Sequence, residues 1–185
     1  MLAASIGAVA AFARAQRVPT PTHCGGELWR LKTFSDPGRK SVALAPKTTT
    51  IGAIVAKPYP RPVPKKRRTA FQRQNWEVIG QVTAFRLEDA GLRLILYDDP
   101  AYVNAVIPVP SCLSRVSRAR TAINDAWNTF VTRCTKPTRD WQPLGAVVAV
   151  RGVGLWSERH GERGAAPNGA ELYPVTGFRV VAGCR

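Results

Sequence analysis

Residues 160–175, HGERGAAPNGAELYPV, come nearest to a chemical constellation in this chain. His160 stands two residues before Glu162, a spacing at which an imidazole and a carboxylate could share acid–base work. Hydrolysis would also need an activated nucleophile or a metal-held water. The chain has two histidines, and the other, His23, lies in the N-terminal leader. It contains no G-x-S-x-G, no H-E-x-x-H, no C-x-x-C and no glycine-rich phosphate loop opening a helix. No catalytic residue, metal ligand or cofactor is therefore assigned, and a hydrolase using His160 ranks third among the functional readings. The stretch reads better as an ordered connection. Gly161, Gly164 and Gly169 allow positive φ angles, Pro167 stiffens the chain, and Asn168-Gly169 is a turn pair before a strand. Glu171 at the strand entrance is expected to bind the loop's amides.

Charge points to a different chemistry. With 27 Lys+Arg against 12 Asp+Glu the formal net charge is +15, which favours polyanionic partners: nucleic acid, an acidic polysaccharide or an anionic membrane surface. The excess concentrates in residues 57–73, KPYPRPVPKKRRTAFQR, with seven basic residues, four prolines and no acid. Prolines at this density prevent helix and disfavour a central strand. The segment is expected to be an arm, part polyproline-like, kept out of the core by its prolines, with Lys65, Lys66, Arg67 and Arg68 providing charge. KKRR also resembles a nuclear import signal, a reading set aside because the chain opens with an export signal.

That signal is MLAASIGAVAAFARA, residues 1–15: an apolar run from Ala3 to Ala13, too short to span a bilayer, with Ala13-Arg14-Ala15 as a small-x-small cleavage site. The expected localisation is secreted or periplasmic, with a mitochondrial presequence as runner-up. Behind the signal, an even count of four cysteines, Cys24, Cys112, Cys134 and Cys184, reads as two disulfides. Cys112 and Cys134 bracket a helical stretch that would hold them ~30 Å apart, and a disulfide needs Cα atoms within about 7 Å. Each is therefore expected to pair with Cys24 or Cys184.

These residues need a scaffold. After a leader at 16–26, Glu27 to Thr33 alternates like a strand, within an N-terminal segment, 24–56, packed on a barrel. Thr50 is a candidate cap for a single helical turn near Ile51. Residues 74–184 are expected to form the barrel itself. Trp76–Glu88 reads as a long first strand whose inward parity switches after Ala84, the mark of a bulge. Leu92, Leu94 and Leu96 form the buried face of a second strand, and residues 102–109 a third. From Leu113 to Arg133 the period becomes helical, with Val116, Ala119, Ile123, Trp127 and Phe130 on one stripe and Ser114 as N-cap. A valine-rich fourth strand, 146–156, is bent at Gly152 and Gly154, and 171–181 is the fifth. Three strands, one helix and two strands are the chain order of a five-stranded Greek-key barrel of the oligonucleotide/oligosaccharide-binding (OB) type, an α+β variant of an all-β fold. A generic α+β sandwich is the alternative.

In such a barrel the outward side of strands two and three, Arg93, Ile95, Tyr97, Tyr102 and Asn104, forms a groove, and the loop between strands four and five flanks it. Aromatics beside arginines can stack bases or sugars. Arg159, His160, Arg163 and Asn168 would line the loop's side. Strands three and five lie side by side in this topology, so geometry prefers Cys112 with Cys184.

The segment Glu27–Thr33 after a cysteine, the Thr48-Thr49-Thr50-Ile51 run, Ile107-Pro108-x-Pro110-x-Cys112 and the His160–Val175 motif together resemble a family of secreted, mostly bacterial proteins of unassigned function. Its usual form of the last motif is similar to His-Gly-x-x-Gly-x-Ala-Pro-Asn-x-x-Glu-Leu-His-Pro-Val. Tyr173 replaces the histidine, which removes any two-histidine site the motif could build. The resemblance implies Cys24 paired with Cys112 and Cys134 with Cys184. The leading functional reading is an exported, non-enzymatic binding module for a nucleic acid or acidic glycan, and the second is a cell-envelope interaction module.

Overall fold

The computed structural model describes residues 24–159 and 161–184. The expected signal peptide, the leader up to His23 and the side chain of His160 lie outside the described residues.

Five strands close a barrel. β2 (Gln74–Leu87), β3 (Gly91–Asp98) and β4 (Ala101–Pro108) form an antiparallel meander. β4 then pairs in parallel with β7 (Ala170–Ala182), β7 pairs with β6 (Val147–Trp156), and β6 returns to β2. Helix α3 (Arg120–Arg133) lies between β4 and β6. This cyclic order, with one parallel pair and the helix in that position, is the OB topology. The expected parity switch is present as a register shift between Val82 and Ala84 in the β2–β3 pairing. Such a bulge raises local twist, which lets one long strand pair with β6 through its first half and with β3 through its second. Further register shifts at Arg151/Gly152 and Gly152/Gly154 bend β6 where the sequence places its glycines.

Inside, Val78, Val82, Phe85, Leu92, Leu94, Leu96 and Ile107 are buried together with Ile123 and Phe130 of α3. Phe130 packs edge-on against Phe85 and Phe178, with ring centroids 5.1 and 5.5 Å apart. Ile51 and Ile54 of α2 (Ile51–Val55) join the same core, and Thr50 caps that helix by accepting from the Ala53 amide at 3.0 Å. The helical reading from Leu113 was too long. α3 starts at Arg120 without a side-chain cap, Ser114 caps nothing, and Val116 is exposed. Its 14 residues still span ~21 Å, which keeps Cys112 from Cys134.

The remaining chain wraps the barrel. Glu27–Thr33 is not a strand: α1 (Trp29–Lys32) follows Leu28, which sits in the left-handed region at φ 57°. α1 lays Leu28 and Leu31 over Val106, Leu155 and Tyr173 on the outer barrel face. Phe34 and Val42 cover Val153. β1 (Ala43–Thr48) adds to β2 in parallel. The disulfides are Cys24–Cys112, with Cα atoms 5.4 Å apart, and Cys134–Cys184, at 4.7 Å. The geometric preference for Cys112 with Cys184 is thus corrected. The N-terminal segment returns across β4 and brings Cys24 to Cys112, while Cys184, after β7, meets the C-terminal end of α3. β5 (Gln142–Pro143) is a two-residue pairing onto β2.

Replacing Phe130 by alanine is expected to cost about 3–5 kcal/mol, because a fully buried ring between two others leaves a cavity the barrel cannot collapse. Urea unfolding checks this; a loss under about 1 kcal/mol would mean that α3 does not fill the barrel.

Candidate functional site

The described residues of the 157–169 connection between β6 and β7 follow a defined path, and their local sequence explains how. Gly164 and Gly169 have φ of 71° and 66°, and a Cβ at either would collide, with Ile95 at the first and with the Ser157 carbonyl at the second. A Cβ at Gly161 would face open space. Asn168 is buried with both of its amide donors used. It donates to the carbonyls of Ile54 and Lys57, both at 2.9 Å, and accepts from the Ala170 amide at 3.1 Å. It ties the loop to the start of the basic arm and has no free donor for a ligand.

The loop lies on the outer face of β3 and β4. Arg93 is central there, its side chain 11% exposed. Its Nε donates to Glu88 at 2.9 Å, and its Nη1 lies 3.4 Å from Glu171 and 3.5 Å from Glu162 of the loop. The buried Asn104 amide, with its oxygen toward Arg93, accepts from that Nη1 at 3.1 Å and donates to the Gly164 carbonyl at 3.3 Å. Arg93, Ile95 and Asn104, expected to line an open groove, are therefore covered by the chain's own loop. Glu171, expected to bind loop amides, pairs with Arg93 instead, and Glu162 is engaged with the same guanidinium. Burial disfavours the Arg93 charge, but the hydrogen bond to Glu88 and the charges of Glu171, Glu88 and Glu162 outweigh it and raise its pKa. Burial likewise pushes Glu88 up, and its hydrogen bonds and charge contacts with Arg93 and Arg86 leave it below the usual carboxylate range.

What stays open is at the margins of this face. Tyr97 and Tyr102 stack at the tip of the β3–β4 hairpin, centroids 4.5 Å apart, with Tyr102 exposed. Trp141, half-buried beside β5, is faced by Arg86 at 4.5 Å and by Arg163 of the loop at 5.5 Å. Tyr59 of the arm is faced by Arg159 at 4.3 Å and Arg61 at 5.9 Å. Trp141, Tyr59, Arg61 and Arg86 were not singled out from sequence. The alternation of basic and aromatic residues across distant segments was the available signal.

The arm is not a free tether. Arg67 is buried, its side chain 1% exposed, and paired with Asp36 at 2.9 Å. It also donates to the carbonyls of Gln72 and Leu31, each at 3.1 Å. The Trp156 indole donates to Thr69 at 3.0 Å, and Phe71 and Gln72 are buried. Prolines do not keep this segment out of the core: it runs irregularly, with bends at 61–62 and 65–67, and Arg67 enters the core from it. Lys65, Lys66 and Arg68 remain exposed, Lys65 facing Glu27 at 3.4 Å. Among the described residues, no group of three or more His, Cys, Asp or Glu is placed to hold a metal, and no helix is long and apolar enough to cross a membrane.

No family model matches the chain, and no curated protein matches it. Among solved structures it is similar to a Leishmania major protein assigned as an aspartyl-tRNA synthetase: 13% identity over 77% of this chain and 22% of that one, TM-score 0.46. An Entamoeba histolytica asparaginyl-tRNA synthetase in complex with asparaginyl-adenylate gives 11% identity over 74% and 24%, TM-score 0.41. The chain thus spans roughly a fifth to a quarter of the length of these proteins. At such scores the OB assignment stands on the strand pairing described above.

Two predictions separate structural from surface charge. Arg67→Ser should cost about 3–5 kcal/mol by leaving Asp36 buried without its partner, whereas Lys65→Ser, Lys66→Ser and Arg68→Ser should each stay within about 0.5 kcal/mol; equal, small losses in denaturant unfolding would contradict the buried pair. The second concerns acid. A carboxylate with a lowered folded pKa contributes stability that is complete above the ordinary carboxylate value and is lost as pH falls through the folded value. Stability should therefore fall with pH below the ordinary carboxylate pKa, and Glu88→Gln should flatten that limb; an unchanged limb would show that Glu88 does not contribute.

Proposed function

We propose that the chain is an exported, non-enzymatic binding module for a polyanion, a nucleic acid or an acidic glycan. The observation that carries this reading is the continuity of the basic surface. The arm begins on the loop through Asn168 and the Lys57 carbonyl. Arg159 of the loop sits on Tyr59 of the arm, and Arg163 sits on Trp141 at the loop's other side. Cations therefore alternate with aromatic rings from the arm, across the loop, to the edge of the β3–β4 face. Cationic grooves with stacking platforms bind single strands and sugars with little sequence preference. An OB barrel places such elements around the outer face of its second and third strands.

Two disulfides fit an oxidising compartment, and export to the periplasm or medium fits them. In this reading Lys65, Lys66, Arg68, Arg159 and Arg163 contact the ligand, Tyr97 and Tyr102 offer a stacking edge, and Arg67, Arg93 and Asn168 hold the surface in shape. Glu162 is engaged with Arg93, which weakens the acid–base reading with His160.

Wild-type protein should bind single-stranded DNA or heparin with an affinity that falls steeply with salt. Each phosphate contact contributes roughly 0.7 to the log–log slope for a single strand, so the Lys65/Lys66/Arg68→Ser triple variant should lose up to about two units of slope. Removing Arg159 and Arg163 should change ligand preference more than slope. If neither polyanion binds wild type below about 10⁻⁴ M at physiological salt, a level non-specific binders reach, the reading fails and an envelope interaction module takes its place.

A further inference from the structure

We propose that the pocket between α1 and the basic arm receives one unstacked nucleobase of a single-stranded nucleic acid. This rests on the polyanion reading above and names its ligand class. The pocket has a volume of about 530 Å³ and three chemically distinct parts. Leu28, Trp29, Leu31 and Pro37 supply apolar surface and one indole. Lys65, Lys66 and Arg30, all exposed, supply positive charge around it. Asp36, buried and paired with Arg67, supplies carboxylate oxygens.

Each part answers one feature of a nucleotide. A base has two apolar faces that stack on an aromatic ring. Its phosphates stay in solvent, where exposed lysines neutralise them without a desolvation cost. Its edge carries N–H donors, and a carboxylate has about four acceptor sites, more than its bonds to Arg67 occupy. A sulfated sugar matches less well. It presents hydroxyls and anionic groups on every side, and burying these against leucine, proline and indole would leave them without partners.

The pocket is also built before any ligand arrives. Leu28 and Phe34, one on each side of α1, have φ of 57° and 55°, a conformation that is costly for such residues and persists only where surroundings impose it. The impositions are visible. Cys24–Cys112 tethers the chain before α1, and Arg67 grips the Leu31 carbonyl and Asp36 after it. A site fixed in this way loses little conformational entropy on binding.

The test compares a single-stranded oligonucleotide of about twelve nucleotides with an abasic one of equal length and charge, at one salt concentration, by fluorescence anisotropy on the full disulfide-bonded protein. Wild type should prefer the base-bearing strand by at least about tenfold, the gain one base–aromatic stack supplies. Trp29→Ala should lower that ratio by about tenfold without changing affinity for the abasic strand, leaving only the share of the Tyr97–Tyr102 edge, and Trp29→Phe should keep most of it, which controls for folding. Equal binding of the two strands to wild type overturns the pocket proposal and leaves the polyanion reading standing. Heparin displacing the base-bearing strand while itself binding more tightly overturns it in favour of a glycan. Binding of none of the three removes both readings together.

Discussion

The Arg67–Asp36 pair holds the N-terminal wrap and the basic arm onto the barrel. A guanidinium with its side chain 1% exposed is stable only when its donors are satisfied, and Arg67 spends them on one carboxylate and two backbone carbonyls. Those three partners belong to different parts of the chain: Asp36 after α1, Leu31 within it, and Gln72 just before β2. One side chain therefore clamps the N-terminal wrap, the arm and the first barrel strand. It also explains how seven basic residues in 57–73 hold a defined path despite mutual repulsion. One of them is neutralised inside, while Arg61, Lys65, Lys66, Arg68 and Arg73 stay exposed to solvent.

A second ion-pair cluster does the corresponding work for the loop. Arg93 gathers Glu88, Glu162 and Glu171 and thereby lays the 157–169 connection across β3 and β4. The usual OB groove is largely roofed by this loop and by α1. The basic and aromatic residues that remain accessible lie along the roof's edges, on Tyr59, Trp141 and the Tyr97–Tyr102 tip. The surface proposed for binding is thus displaced from the groove that the topology alone would suggest.

The barrel was legible because its signals are local. Alternating apolar residues, a parity switch in β2 and a glycine pair in β6 each report directly on backbone geometry, and strand order follows from them. The N-terminal wrap was not legible, because its cause is non-local. Trp29-Arg30-Leu31-Lys32 alternates as a strand would, but the left-handed turn at Leu28 and the apolar patch of Val106, Leu155 and Tyr173 make it helical. The start of α3 was missed for a related reason: Val116 fits the stripe yet has no surface to pack on. Within the site, Lys65, Lys66 and Arg68 read correctly as exposed charge, whereas Arg67 in the same run is structural. Its partner, Asp36, is 31 residues away, beyond the reach of any local pattern. Arg93 and Asn104 were expected on an open groove and Asn168 among the ligand contacts, but their roles depend on partners that only the fold supplies.

The account's central claim is that the arm, the loop and the hairpin tip act as one polyanion-binding surface. Backbone amide shifts recorded while a short single-stranded oligonucleotide is titrated into labelled protein test it most directly. The account predicts perturbations at Lys57, Tyr59, Arg61, Lys65, Lys66 and Arg68, at Arg159 and Arg163, and at Tyr102, moving together with one affinity. Perturbations confined to α3 and β1, or none at all at low salt, would contradict it.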